Sequence, residues 1–205
     1  MDIYSQLGYQ AVCVGARDLS NGIDFLKKYA QKRSGLSLLS VNVYQNGQRA
    51  FSPYKVFRVS GLKLAVIGIT LPMSTRGLRT RNLLIKDPEK ELEKLLPQIR
   101  QQADLVILLS NLGIMNDRRI LSKIHGIDIV IGSGPGYKLF SPMKIGKCLV
   151  LRTHIKGKSV GMAKVTYNPK WKKILIKNTL VLLDETKPAS PEVKQKLKDL
   201  VKGLL

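Results

Sequence analysis

Two nearly pure apolar runs, Asp104–Ser110 and Ile127–Ile131, flank a stretch that reads as a helix, and each ends in a loop of small and polar residues. A strand that is apolar at every position has both faces buried, which is the habit of parallel strands covered by helices. Ala11-Val12-Cys13-Val14 has the same character. The loops that follow these three strands are Gly15-Ala16-Arg17-Asp18, Ser110-Asn111-Leu112-Gly113 and Gly132-Ser133-Gly134-Pro135-Gly136. Ligand sites of α/β folds collect at such strand ends.

The rest of the chain fits this frame. Ile3 to Gly8 reads as the tail of a helix, and Asn21 to Lys32 as an amphipathic helix with Ile23, Phe25, Leu26 and Tyr29 toward the core. Leu38-Leu39-Ser40-Val41 is the next strand, completing a β-α-β unit with parallel strands. Tyr54–Ser60 and Leu62–Ile69 flank Gly61 as a tight hairpin. Leu71–Lys86, rich in Arg, Thr and Gly, has no clear period and reads as an exposed loop or insertion. Asp87 caps a helix that begins Pro88-Glu89, its acid-rich first turn matched to the helix dipole. Asn116-Asp117 starts a helix through Ile124. From Cys148 onward the pattern becomes antiparallel, with strands Cys148–Ile155, Ser159–Tyr167 and Lys172–Leu183 and a turn at Asn168-Pro169-Lys170. A terminal helix covers Pro191 to Val201.

At 205 residues and 44% hydrophobic content the chain can bury one sizeable core, so residues 1–205 are expected to form one domain. No stretch reaches the roughly 18 apolar residues needed to span a bilayer, and Met1-Asp2-Ile3-Tyr4 has no basic-then-apolar signal pattern, so the compartment is left open. Cys13 and Cys148 belong to no CxxC or Cys/His cluster and read as buried thiols, with a disulfide between them as the alternative. His125 and His154 are the chain's two histidines, too few for a metal site built on three. Both are expected to be ordinary core or surface histidines.

The net charge is +21, and it is uneven: Tyr137–Leu183 carries eleven Lys or Arg and no Asp or Glu. Such a region attracts phosphate-rich polymers, anionic membrane surfaces or an acidic partner. The alternative is a solvated lysine-rich surface.

An ordered series of segments resembles the 5′-nucleotidase family of the calcineurin-like metallophosphoesterases. Leu7-Gly8-Tyr9-Gln10-Ala11-Val12 with Gly15-Ala16-Arg17-Asp18 is similar to the family's "LGYDA…GNHE". Leu39-Ser40-Val41-Asn42-Val43, Pro53-Tyr54 and Val66-Ile67-Gly68-Ile69-Thr70 follow "SANV…PY…GxxVGxIGxT". Ala103–Gly113 resembles "ADxVIxLSHLG", and Gly126–Gly132 resembles the start of "GIDxIIGGHxH". Gly157, Gly161, Leu183-Asp184 and Ser190-Pro191-Glu192-Val193 match its closing segments.

The resemblance implies a partial metallophosphoesterase-like αββα sandwich, an α/β fold of mixed sheets with crossover helices and C-terminal antiparallel strands. It also implies a family chemistry, hydrolysis of phosphate esters with two divalent metal ions. At the matched positions the expected ligands are replaced. The family's Asn and His of GNHE fall on Ala16 and Arg17 and its Glu on Asp18; the histidine of SHLG falls on Asn111; both histidines of GHxH fall on Gly134 and Gly136. The family's DxH and GD motifs would lie before Met1. No catalytic or metal-ligating residue is therefore assigned, no cofactor is expected, and Ala16, Arg17, Asp18, Asn111, Gly134 and Gly136 are read as vestigial site positions.

The leading expectation is an inactive phosphoesterase-like domain with a structural or interaction role. The alternatives are a nucleotide hydrolase completed by a segment or partner that supplies the absent motifs, and a polyanion-binding module built on residues 137–183. Arg17, Asp18, Asn111 and Asp117 are expected to lie close together, with Arg17 and Asn111 as an anion-binding pair or, more plainly, as loop-closing groups. A homodimer or a separate subunit is expected to cover the sheet where the family's remaining strands would stand.

Overall fold

The computed structural model describes residues 4, 7–31, 35–74, 80–153, 155–171 and 173–202. Three of the six residues of the helix tail expected over Ile3–Gly8 fall outside them, with Leu7-Gly8 forming a turn, and His154 falls outside them as well. Strand β1 (Ala11–Cys13) leads through a 3-10 turn, Ala16–Asn21, into helix α1 (Ile23–Gln31). Ile23 and Leu26 of α1 are buried, but Phe25, expected to face inward, is 46% exposed. It sits two positions from Ile23, and so projects from the other side of a 3.6-residue helix. β2 (Ser37–Leu39) pairs parallel with β1.

β3 (Val43–Gln45) and β4 (Gln48–Arg49) form a short hairpin. β5 (Tyr54–Val59) and β6 (Leu62–Ile69) form the expected antiparallel pair, turning at Ser60-Gly61. The stretch read as an exposed loop over Leu71–Lys86 instead contributes β7 (Leu83–Ile85), which pairs antiparallel with β3. Leu83 and Ile85 point into the core while Leu84 is exposed, an alternation too short to register as a period. Residues 75–79 of that stretch lie outside the described residues.

Helix α2 (Pro88–Gln102) is capped as expected, with Asp87 Oδ1 accepting from the Lys90 N–H at 3.1 Å. β8 (Leu105–Ser110) follows, then α3 (Ile114–Leu121), then β9 (Ile129–Gly132). α3 begins two residues ahead of the expected Asn116-Asp117 start, from Gly113. The reason is that Asp117 is no surface first-turn acid: it is buried and bonds the end of β8.

β10 (Met143–Ile145) was not foreseen, and β11 (Cys148–Arg152) stops short of Ile155. β11 is antiparallel to β10 but parallel to β9, so it continues the parallel sheet rather than opening an antiparallel one. β12 (Ser159–Asn168) and β13 (Lys173–Leu182) form a two-stranded antiparallel ribbon, and α4 (Pro191–Lys202) closes the chain.

The result is a mixed α/β fold whose centre is a six-stranded sheet in the order β10-β11-β9-β8-β6-β5. One face packs Ala65, Ile67, Ile69, Val106, Leu108, Val130 and Val150 beneath Leu92, Leu96 and Ile99 of α2 and Ile120 and Leu121 of α3. A second core joins Val14, Leu19, Ile23 and Leu26 to Leu38, Val43, Leu83 and Ile85. The two units meet at Gly68, where an added Cβ would lie 2.2 Å from the Leu39 carbonyl oxygen, so that only glycine permits this approach. Further along the same sheet face Ile131 is 45% exposed.

Glu91 anchors α2 to the β3 hairpin, accepting from Tyr44 Oη at 2.6 Å and Arg49 Nη2 at 2.8 Å. Burial pushes its carboxyl up, and the bonds from Tyr44, Arg49 and Lys94 outweigh that and hold it below the usual range. Cys13 and Cys148 are free thiols, both pushed up to about 12 by burial. No helix among the described residues is long and apolar enough to cross a membrane.

Candidate functional site

The three loops singled out from the sequence converge at the ends of β1, β8 and β9. β8 and β9 are parallel neighbours whose C-terminal ends lie on one side. The loop after β1, which belongs to the separate β1–β2 sheet, is tied to the loop after β8 by a hydrogen bond from Ala16 to Asn111. The first loop closes on itself. The Gly15 N–H donates to Asp18 Oδ2 at 2.7 Å, and the Asp18 N–H donates to the Gly15 carbonyl at 3.1 Å. Asp18 makes no ion pair with Arg17 among the described residues; Arg17 is exposed, and its carbonyl accepts from Ser20 Oγ. Ala16 is buried.

Asn111 links all three loops. Its Oδ1 accepts from the Ala16 N–H at 3.4 Å, and its Nδ2 donates to Ser133 Oγ at 3.5 Å. The Ser133 N–H and Oγ both donate to the Ser110 carbonyl, at 2.7 and 3.0 Å. Gly134, with φ +75°, passes so close to β8 that an added Cβ would lie 2.6 Å from the Asn111 carbonyl oxygen. The conformation and the space both require glycine there. An added Cβ on Gly136 would meet Ile114 Cγ2 at 2.6 Å.

Beneath the loops lies a buried ion pair that the sequence did not disclose. Arg152, at the end of β11, is 3% exposed and Asp117 is 2% exposed. Arg152 Nη1 donates to Asp117 Oδ2 at 3.5 Å and to the Ser133 carbonyl at 3.0 Å. Its Nη2 donates to the carbonyls of Gly134 and Pro135 at 2.9 and 3.3 Å, and its Nε to that of Tyr137 at 3.2 Å. Asp117 also accepts a short hydrogen bond from Ser110 Oγ.

The glycine-rich loop therefore turns its carbonyls, not its amides, toward this centre. That polarity suits a cation, and the guanidinium supplies one. Burial pushes the Asp117 carboxyl up to about 6, against the opposing pull of Ser110 and Arg152. Burial likewise lowers Arg152, against the opposing influence of Asp117. The one available signal for Arg152 was a lone charge closing the apolar run Cys148-Leu149-Val150-Leu151.

Asp18 and Asn111 thus stand on the same side of the sheet, with Asp117 below them. Among the described residues, no three His, Cys, Asp or Glu side chains gather as a candidate metal cluster. His125 is exposed, after α3.

No protein-family model matches the chain. Among curated proteins, the 5′-nucleotidase of Vibrio vulnificus is 30% identical over 121 residues, covering 55% of this chain and 22% of its own length. The 5′-nucleotidase of Bos taurus is 26% identical over 220 residues, covering 92% of this chain and 37% of its own length. Among solved structures, the sulfate thiohydrolase SoxB of Thermus thermophilus superposes with a TM-score of 0.85 at 22% identity, over 98% of this chain and 38% of that one. A 5′-nucleotidase precursor from Thermus thermophilus gives 0.79 at 22% identity, over 99% of this chain and 45% of that one. The chain thus spans less than half the length of these relatives. Sequence and fold together make it a relative of the 5′-nucleotidases over part of their length.

Proposed function

We propose that this 5′-nucleotidase-like chain is a pseudoenzyme, a phosphoesterase fold that has given up hydrolysis for a structural or interaction role. The observation that carries this reading is the state of the converging loops. At the positions matched to family ligands stand Ala16, Arg17, Gly134 and Gly136, which bring no carboxylate or imidazole. The two oxygen-bearing side chains that remain are committed to the protein, Asp18 to the Gly15 N–H and Asn111 to the Ala16 N–H. Three carbonyls of the third loop hold the Arg152 guanidinium.

When bound, a pair of divalent ions supplies Lewis acidity and a hydroxide nucleophile to family enzymes. The residues present do not fit such a pair: one exposed carboxylate and one carboxamide fall far short of the ligand number that two cations demand. What these residues do instead is fasten the strand ends together. The reading predicts no chelator-sensitive release of phosphate from AMP or p-nitrophenyl phosphate by the purified chain in the presence of magnesium, manganese or zinc. Measured turnover abolished by chelation would overturn it.

A second reading is favoured by the lengths of the relatives, of which this chain covers 22% and 37% in the two cases given. A further segment or partner carrying DxH and GD motifs would complete a hydrolase, with Asp18 and Asn111 contributing from this side. Stoichiometric metal in a reconstituted pair is what this reading requires. Residues 1–205 are taken in both readings as one phosphoesterase-like unit, and the partly uncovered sheet face around Ile131 as the surface for a second copy or a separate subunit.

A further inference from the structure

The β12–β13 ribbon stands apart from the loops, and its two faces differ. Residues directly opposite across an antiparallel pair share a face. Gly161 and Leu180, Ala163 and Asn178, and Val165 and Ile176 form the inward face. There Asn178 Nδ2 donates to the Phe140 carbonyl at 3.1 Å, and an added Cβ on Gly161 would lie 2.8 Å from Thr153 Cγ2. The outward face carries Val160 opposite Val181, Met162 opposite Thr179, Lys164 opposite Lys177, Thr166 opposite Leu175 and Asn168 opposite Lys173.

Two features of the outward face call for a partner. Its apolar side chains are in water: Val160 is 48% exposed, Met162 55% and Leu175 60%. Its charges are of one sign, with Lys164 and Lys177 directly opposed and no Asp or Glu anywhere from Tyr137 to Leu183. Like charges facing each other across a ribbon are unfavourable unless an anion lies between or over them. At the end of the ribbon the turn presents Trp171, 71% exposed, with Lys170 Nζ 5.3 Å from the centre of its ring.

We propose that this face and its Trp171 turn dock on an anionic lipid surface. Lysines meet the headgroups while Met162, Val160, Leu175 and the indole enter the boundary with the acyl chains, where tryptophan is at home. A nucleic acid would satisfy the lysines but leave the aliphatic side chains in water, since their contact with phosphate and sugar gains little and the ribbon face offers no row of aromatic platforms. The inference is independent of whether the chain hydrolyses anything.

Trp171 is the chain's lone tryptophan, so its emission reports this surface directly. Titrating the full chain with vesicles of equal parts phosphatidylcholine and phosphatidylserine should shift the emission to the blue. Lipids brominated on their acyl chains should quench it, and phosphatidylcholine vesicles alone should leave it unchanged. Lys164→Gln combined with Lys177→Gln should weaken partitioning on the order of tenfold, with circular dichroism confirming that the fold is retained. Lys28→Gln combined with Lys90→Gln, away from the ribbon, should leave partitioning as it was. Met162→Ser, which keeps every charge, should reduce the quenching.

An emission unmoved by the mixed vesicles at low salt would overturn the proposal. So would equal losses from the two lysine pairs, which would mean unspecific attraction to a basic protein. A blue shift produced by single-stranded DNA, with no quenching by brominated lipid, would assign the ribbon to nucleic acid instead.

Discussion

Arg152 concentrates more of the molecule's organisation than any other residue. It reaches Asp117 and the carbonyls of Ser133, Gly134, Pro135 and Tyr137 at once. Arg152→Met keeps the aliphatic stem but leaves the buried Asp117 carboxylate, still bonded by Ser110 Oγ, without its counter-charge and removes the donor that the carbonyls of Ser133, Gly134 and Tyr137 share. A loss of about 3–5 kcal/mol is expected from urea unfolding, and Arg152→Lys should recover a part of it only, having no planar fork. Asp117 sets a pH dependence of its own. Because its folded value is raised from 3.8 to about 6, its contribution to stability is complete below the unfolded value and is lost as pH rises through the folded one. Melting temperatures of the wild type should therefore fall, relative to those of Asp117→Asn, across the window from about 4 to about 6. Gly68→Ala tests the closest approach in the fold: with the Leu39 carbonyl oxygen 2.2 Å from the new carbon, a loss of about 3 kcal/mol, the upper end for overpacking, is expected in the same assay.

At the scale of elements, what could be read in the sequence was what local chemistry dictates. Asp87 ahead of Pro88-Glu89 announced the start of α2, and Asp87→Ala should cost about 1 kcal/mol in thermal unfolding. Gly61 and the Asn168-Pro169 turn placed the β5–β6 and β12–β13 hairpins, and the apolar runs ending at Ser110 and near Ile131 placed β8 and β9. β10 escaped because three residues beside a two-residue turn carry too little pattern, and the rest of what escaped depends on partners distant in sequence. β7 is a strand because Val43–Gln45 lies beside it, and three residues carry no period of their own. β11 is parallel because β9 is its neighbour; nothing in Cys148–Arg152 specifies direction. Of the candidate site, the loops were legible from their glycines and from the family resemblance. The guanidinium that binds them was not, since an arginine at a strand end looks like a surface residue until the fold buries it.

On the scale of the whole molecule, protection should follow depth within the central sheet. β6 and β8 have strands on both sides and helices above, whereas the β12–β13 ribbon has two open edges and an exposed face. Amide hydrogen exchange should be slowest in Ala65–Ile69 and Val106–Leu108, and faster by orders of magnitude in the ribbon. The union of the strand ends follows a different logic. Its positive charge arrives with the polypeptide at synthesis and cannot be leached away, competed for or mismatched by the wrong element. A clasp of this kind should hold equally through starvation for divalent ions and through their excess, so that unfolding midpoints measured with and without a strong chelator coincide.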